Sequence, residues 1–178
     1  MTAKDRCVNL TALNTARMLV VVGLGALATA CSTAPGTAPA MMASSGSPTP
    51  VPGYDWFFHP EPTEAKLVYG VETSDDQRLG LTCEKDSGRV EITTNAPHGV
   101  REIHLESGGE TERFRAEGEP AALGEGDYLT AEAVTATPVF QRFRRVGWLA
   151  QWSGQTRETY VPHAASAPGV ERFFAFCG

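Results

Sequence analysis

Glu102, His104 and Glu106 alternate with Ile103 and Leu105, and a β-strand puts every second side chain on one face. An imidazole between two carboxylates is a donor set for a divalent metal, with His98 nearby in sequence to help. The same alternation describes a solvated outer face whose partners Ile103 and Leu105 take the core side, and no metal is assigned. A second concentration of chemistry is Arg142, Arg144 and Arg145. Cations at a helix end are favoured by its dipole, and they form either an anion-binding patch or ion pairs with neighbouring strands. Arg113 and Arg115 would extend the patch if the sheet brings them near. Tyr54, Trp56 and Phe57, followed by Phe58, form an aromatic cluster that suits a partner surface or a segment packed over the sheet.

Nucleophilic chemistry finds little support. No serine sits in a strand-turn-helix elbow, and Ser153, between Trp152 and Gly154, falls in an expected hairpin turn. His59, His98, His104 and His163 are the available bases, and their spacing defines no triad. Asp75 and Asp76 read as a turn pair rather than as glycoside-cleaving carboxylates. Gly23 and Gly25 lie in the N-terminal apolar run and are no phosphate loop.

The elements that must position these residues are mostly strands. Leu79, Leu81 and Cys83 alternate with polar or small neighbours, as do Val90 and Ile92, Leu129, Ala131 and Ala133, and Trp148, Ala150 and Trp152. Turn residues punctuate them at 86–88, 95–97, 107–109 and 124–126. Short alternating strands with frequent turns predict a mainly β antiparallel sandwich, or a partly open barrel, with one wet face. Two helices interrupt the pattern. Thr137 can cap the first, Pro138 suits its first position and Gly147 the residue past its end. Val139, Phe140, Phe143 and Val146 share one face of it. The second runs from Ser166 to Gly178, with Val170, Phe173, Phe174 and Cys177 on one face.

Four cysteines divide by context. Lys4, Arg6 and Arg17 lead into an apolar run that closes on Leu27-Ala28-Thr29-Ala30-Cys31. That layout predicts a secretory signal over residues 1–30, about a dozen apolar residues being short of the roughly 20 that span a bilayer. The alternative is an uncleaved N-terminal helix. Cys31 after small residues resembles the lipobox of bacterial lipoproteins, which implies lipidation of Cys31. Ser32 at the next position implies, by analogy, the outer membrane. Cys7 goes with the signal, leaving Cys83 and Cys177, which an oxidising periplasm would join most simply as one disulfide. Two separate buried thiols are the other possibility.

Residues 31–53, beginning at the lipidated Cys31, are nearly all Ser, Thr, Ala, Pro, Gly and Met and read as a disordered tether. As a flexible coil it reaches about 25 Å, and as an extended polyproline helix about 70 Å. Residues 54–178 are the right size for one domain. Removal of Lys4, Arg6 and Arg17 together with Asp5 takes the formal net charge from −6 to −8. An acidic chain lacks the positive field that nucleic acid or anionic head groups need, so nucleic acid is not an expected partner.

The run TPVFQRFRRVGWLAQW, a polar strand, and then GVERFFAFCG resemble a group of uncharacterised alphaproteobacterial envelope lipoproteins. More remotely they are similar to the invasion-associated locus B type and to type VI secretion accessory lipoproteins. The resemblance covers residues 66–178 in order of elements, with specific residues around Leu81-Thr82-Cys83 and in the C-terminal stretch. It implies a β-sandwich and a disulfide, and it implies no chemistry. A looser similarity to small periplasmic inhibitor lipoproteins rests on size, anchor and disulfide.

The combined expectation is a lipoprotein held in the outer membrane and facing the periplasm. Its one β domain would work by binding an envelope protein, without catalysis or cofactor. An inhibitor of a lytic enzyme or protease is the alternative, which a protruding loop at 107–111 would favour. A small hydrolase is the remaining one, which a cleft holding a hydrogen-bonded histidine and carboxylate would favour.

Overall fold

The computed structural model describes residues 47–122 and 125–178. The signal segment, Cys31 and most of the tether lie outside the described residues. Nine strands and two helices follow in the order β1 (Asp55–Pro60), β2 (Glu64–Gly70), β3 (Gln77–Glu84), β4 (Arg89–Ala96), β5 (Glu102–Ser107), β6 (Glu110–Pro120), β7 (Asp127–Val134), α1 (Pro138–Val146), β8 (Leu149–Ser153), β9 (Thr156–Tyr160) and α2 (Ala167–Cys177). No helix among them is long and apolar enough to cross a membrane.

The strands form one antiparallel sheet in the order β1-β2-β3-β4-β7-β6-β5-β8-β9. Its two ends meet: the Trp56 indole of β1 donates to the Tyr160 carbonyl of β9 at 3.2 Å. The sheet is therefore a nearly closed barrel, the second of the two β architectures expected from the alternation. The chain leaves β4, passes to β5, and returns through β6 and β7 to pair with β4 from Arg89↔Val134 to Ala96↔Asp127. β6 carries the bend, pairing with β5 over Glu110–Arg115 and with β7 over Ala116–Pro120.

Period-two burial runs around the whole wall. Ala65, Leu67 and Tyr69 of β2, Leu79, Leu81 and Cys83 of β3, Val90 and Ile92 of β4, and Ile103 and Leu105 of β5 face inward and are buried. β8 departs from the expected phase. Leu149 is fully buried and Gln151 points inward; Ala150, of the expected phase, is also fully buried, whereas Trp148 and Trp152 are half-buried on the outer face. An apolar residue stands at both phases of Trp148-Leu149-Ala150, so alternation alone does not decide which side is core.

Both helices complete the core. α1 contributes Val139, Phe140 and Phe143, with Phe140 stacked on Phe114 of β6 and Phe143 tilted against Trp56. Gly147 ends it in the left-handed conformation, its N–H returning to Phe143 O at 2.8 Å. Thr137 occupies the N-cap position without capping through its side chain; its hydroxyl donates to Val134 O instead. α2 buries Val170, Phe173, Phe174 and Cys177. Cys83 and Cys177 are joined in a disulfide across 94 residues. The last carbonyls of a helix have no partners within it. Here Phe176 O and Cys177 O accept from Asp86 N at 3.0 Å and Gly88 N at 2.8 Å, both in the β3–β4 turn. The Thr135 hydroxyl donates to Gly178 O at 2.7 Å.

Candidate functional site: the mouth of the barrel

β5 and β8 pair only from Glu106↔Ala150 to His104↔Trp152. β8 continues with β9 to Ser153↔Thr156, while β5 ends at Glu102 alongside β6. The β8–β9 hairpin thus parts from β5, and a groove of about 380 Å³ opens between them. Inward-facing Leu129 and Gln151 form part of its lining, with Trp152 and His104 as an aromatic wall. Arg101, Glu102 and Arg113 form its charged rim. A second cleft of about 240 Å³, lined by Arg78, Thr94, Glu158 and Tyr160, shares Gln151 and Ser153 with the first. Barrel mouths are a common place for ligand sites, because the wall fixes the side chains while the end stays open.

The outer wall is built as a ladder. Arg157 donates to both oxygens of Glu106, at 2.8 and 2.9 Å, and its guanidinium lies 5.2 Å from the Trp148 ring centre and 6.0 Å from that of Trp152. Trp152 Nε1 donates to the same carboxylate at 2.8 Å, and His104 stacks on Trp152 at 6.1 Å. These bonds hold the Glu106 carboxyl below its usual range, the Arg157 bond contributing most. Burial, followed by repulsion from Arg113, pushes His104 down, so the imidazole is neutral at neutral pH.

Across the mouth, Gln151 Oε1 accepts from the hydroxyls of Thr94 and Tyr160, each at 3.1 Å. Burial raises the Tyr160 hydroxyl far above its ordinary value, which keeps it a donor. The Tyr69 hydroxyl is buried beside the Val161 backbone, and burial raises its pKa.

Asp127 secures the loop that enters β5. Its carboxylate is 2.7 Å from His98 Nδ1 and accepts from Gly99 N at 3.1 Å and Arg101 Nη1 at 3.0 Å. Those bonds, the His98 one first, take its pKa from 3.8 to about 2. A hydrogen-bonded histidine and carboxylate are therefore present. Among the described residues no serine or cysteine bonds to that histidine, and the carboxylate is occupied by backbone and guanidinium donors.

The residues singled out in sequence separate in space. The three arginines of α1 diverge: Arg144 grips Glu171 of α2 at 3.0 and 2.6 Å, Arg142 tucks against Gly108, and Arg145 is exposed. Arg113 pairs with Glu102 at the mouth, apart from that helix. The aromatic cluster is Tyr54 followed by strand β1. Trp56 is 1% exposed and belongs to the core, Tyr54 bonds Asp76 and Arg78, and Phe57 is half-buried. Among the described residues no cluster of His, Cys, Asp and Glu is placed to hold a metal. Glu106 is held by Arg157 and His98 by Asp127, which removes two of the four donors. The 107–111 segment is a two-residue turn, Gly108-Gly109, between paired Ser107 and Glu110. Ser153 closes β8 opposite Thr156.

Arg157, Gln151, Arg101 and Tyr160 were not legible as site residues. A signal existed for Arg157: a hairpin centred on Gly154-Gln155 sets it opposite Trp152. Comparisons of the chain with family models, with curated proteins and with solved structures return no match.

Proposed function

We propose that this protein is an outer-membrane lipoprotein that faces the periplasm and serves as a non-catalytic binding module for an envelope component. The carrying observation is the Cys83–Cys177 disulfide, which joins a strand to the closing helix across 94 residues. Structural disulfides persist in oxidising compartments. With both thiols of the folded domain paired, Cys31, set after Leu-Ala-Thr-Ala, is the cysteine offered for a lipid. The Pro- and Ser-rich stretch that follows gives the domain reach from the membrane. The resemblance of its C-terminal elements to envelope lipoproteins points the same way. A binding role is supported by a mouth whose carboxylates are engaged by arginines, by the Trp152 indole, by His98 and by backbone, which fix its wall in place. The inhibitor reading finds less support, since 107–111 is a tight turn.

Fractionation tests the anchor. The wild-type protein is expected in the membrane pellet and Cys31→Ala in the soluble periplasmic fraction. Unchanged membrane retention of Cys31→Ala would overturn the lipoprotein reading.

A further inference from the structure

We infer that the groove between β5 and the β8–β9 hairpin binds an acidic saccharide, its sugar ring along the wall formed by His104 and Trp152 and its carboxylate on Arg101 and Arg113. This inference rests on the binding-module reading above and names the ligand class of that same mouth.

Three features of the lining select this class. The groove combines an aromatic wall, Trp152 with His104, and apolar Val100, Ala96 and Leu129. A pyranose ring has one face of C–H bonds, which packs along the rim of such a wall; the Trp152 ring is itself flanked by His104 and the Arg157 guanidinium. A fully hydrophilic ion would leave this surface uncovered, and a long apolar chain would bury the charged rim.

The second feature is the planar polar side chains around that wall. Glu102, Gln151, Arg101 and Arg113 line the groove. Such groups meet the paired hydroxyls of a sugar with two parallel hydrogen bonds, as they do a carboxylate. Neutral His104 adds one donor and one acceptor at the ring.

The third is unused hydrogen-bonding capacity. Arg101 employs Nη1 on the Val100 carbonyl and Asp127, and Arg113 employs Nη1 on Glu102. Their Nε and Nη2 atoms make no hydrogen bond among the described residues. Of the charged residues in the lining, two are cations and one is an anion, although the whole chain is acidic. Asp127 fixes Arg101 in place without lining the groove. Two oriented guanidinium groups beside an aromatic wall are a site for a ring that carries a carboxylate.

The test is calorimetric titration of the full-length protein in detergent micelles. One probe is the disaccharide of N-acetylglucosamine and N-acetylmuramic acid, which carries a carboxylate; the other is diacetylchitobiose, which does not. Saturable binding of the acidic disaccharide is expected, weaker for chitobiose by about tenfold or more for the lost charge-assisted contact. Arg113→Gln, on a side chain 59% exposed, is expected to weaken the acidic probe by a similar factor. Its circular dichroism should stay unchanged. Trp152→Ala should abolish binding, and Trp152→Phe, which keeps a ring, should restore part of it. No binding of either sugar, equal binding of both, or an Arg113→Gln protein that binds like wild type would overturn the inference. The anchor is read separately by fractionation of Cys31→Ala, so a failed titration leaves that result standing.

Discussion

The indole N–H of Trp56 donates to the carbonyl of Tyr160 at 3.2 Å, linking the first strand of the sheet to the last. The Trp56 ring also packs edge-on against Tyr160, and Phe143 of α1 is tilted against it at 5.2 Å. No strand pairing closes this seam. It is held by side chains, with Asp55 accepting from His163 N at 3.0 Å and from Ser166 beside it. Trp56→Phe keeps an aromatic ring but removes the indole donor to the Tyr160 carbonyl. A loss of about 1–3 kcal/mol is expected, read as a lower midpoint in urea. A midpoint equal to wild type would mean that the seam is closed by packing alone.

The disulfide is expected to contribute most of any single link. Closing a loop across 94 residues is worth about 4–5 kcal/mol by its effect on the unfolded chain. Cys83→Ala/Cys177→Ala should unfold at a markedly lower temperature, and reductant should move wild type toward it. Alkylation of native protein without reductant should leave both thiols unlabelled.

Acid should loosen the mouth through Asp127. Its folded pKa, about 2, lies below the ordinary 3.8, so its contribution is complete above the unfolded value and disappears as pH falls through the folded one. The Glu106 and Glu171 carboxyls, lowered chiefly by Arg157 and Arg144, act in the same direction. Thermal midpoints measured from pH 5 down to 2 should fall less steeply in Asp127→Asn than in wild type. Equal slopes would place the acid sensitivity elsewhere.

The β5–β6 turn offers a paired comparison. Gly108 and Gly109 have φ of 52° and 90°, a region that costs an L-residue about 1–2 kcal/mol. A Cβ on Gly109 meets nothing, whereas one on Gly108 would lie 2.5 Å from Arg142 Nε. Gly108→Ala should therefore destabilise more than Gly109→Ala, and the difference should shrink in an Arg142→Ala background. Chemical denaturation of the four variants decides this.

Much of the fold was legible because burial imposes a period. Val170, Phe173, Phe174 and Cys177 lie on one face of a helix, and Ile103 and Leu105 on one face of a strand, whatever they pack against. β2 and β6 were less visible. In β6, Thr111, Arg113 and Arg115 alternate with glutamates and Phe114, so only Phe114 and Ala116 mark its inner side. In β8 the apolar residues occupy both phases, and the wrong tryptophans looked buried. The arginines of α1 looked like a single patch because sequence places them together. Arg144 was claimed by Glu171, 27 residues away, which no local pattern encodes.

By itself, the sequence determined a mainly β domain, its two helices and the identity of their buried faces, and it marked Cys83 and Cys177 as candidates to pair. These follow from local periodicity, from turn chemistry and from counting thiols. Only the tertiary structure decided that the strands make one nearly closed sheet, that β4 pairs with β7, and that β5 and β8 part beyond His104 and Trp152. Alternation tells which face of a strand is buried and says nothing of its neighbour. Strand order and the point where pairing stops depend on contacts between residues far apart in the chain. The groove that gathers Trp152, Arg101 and Arg113 exists only because of them.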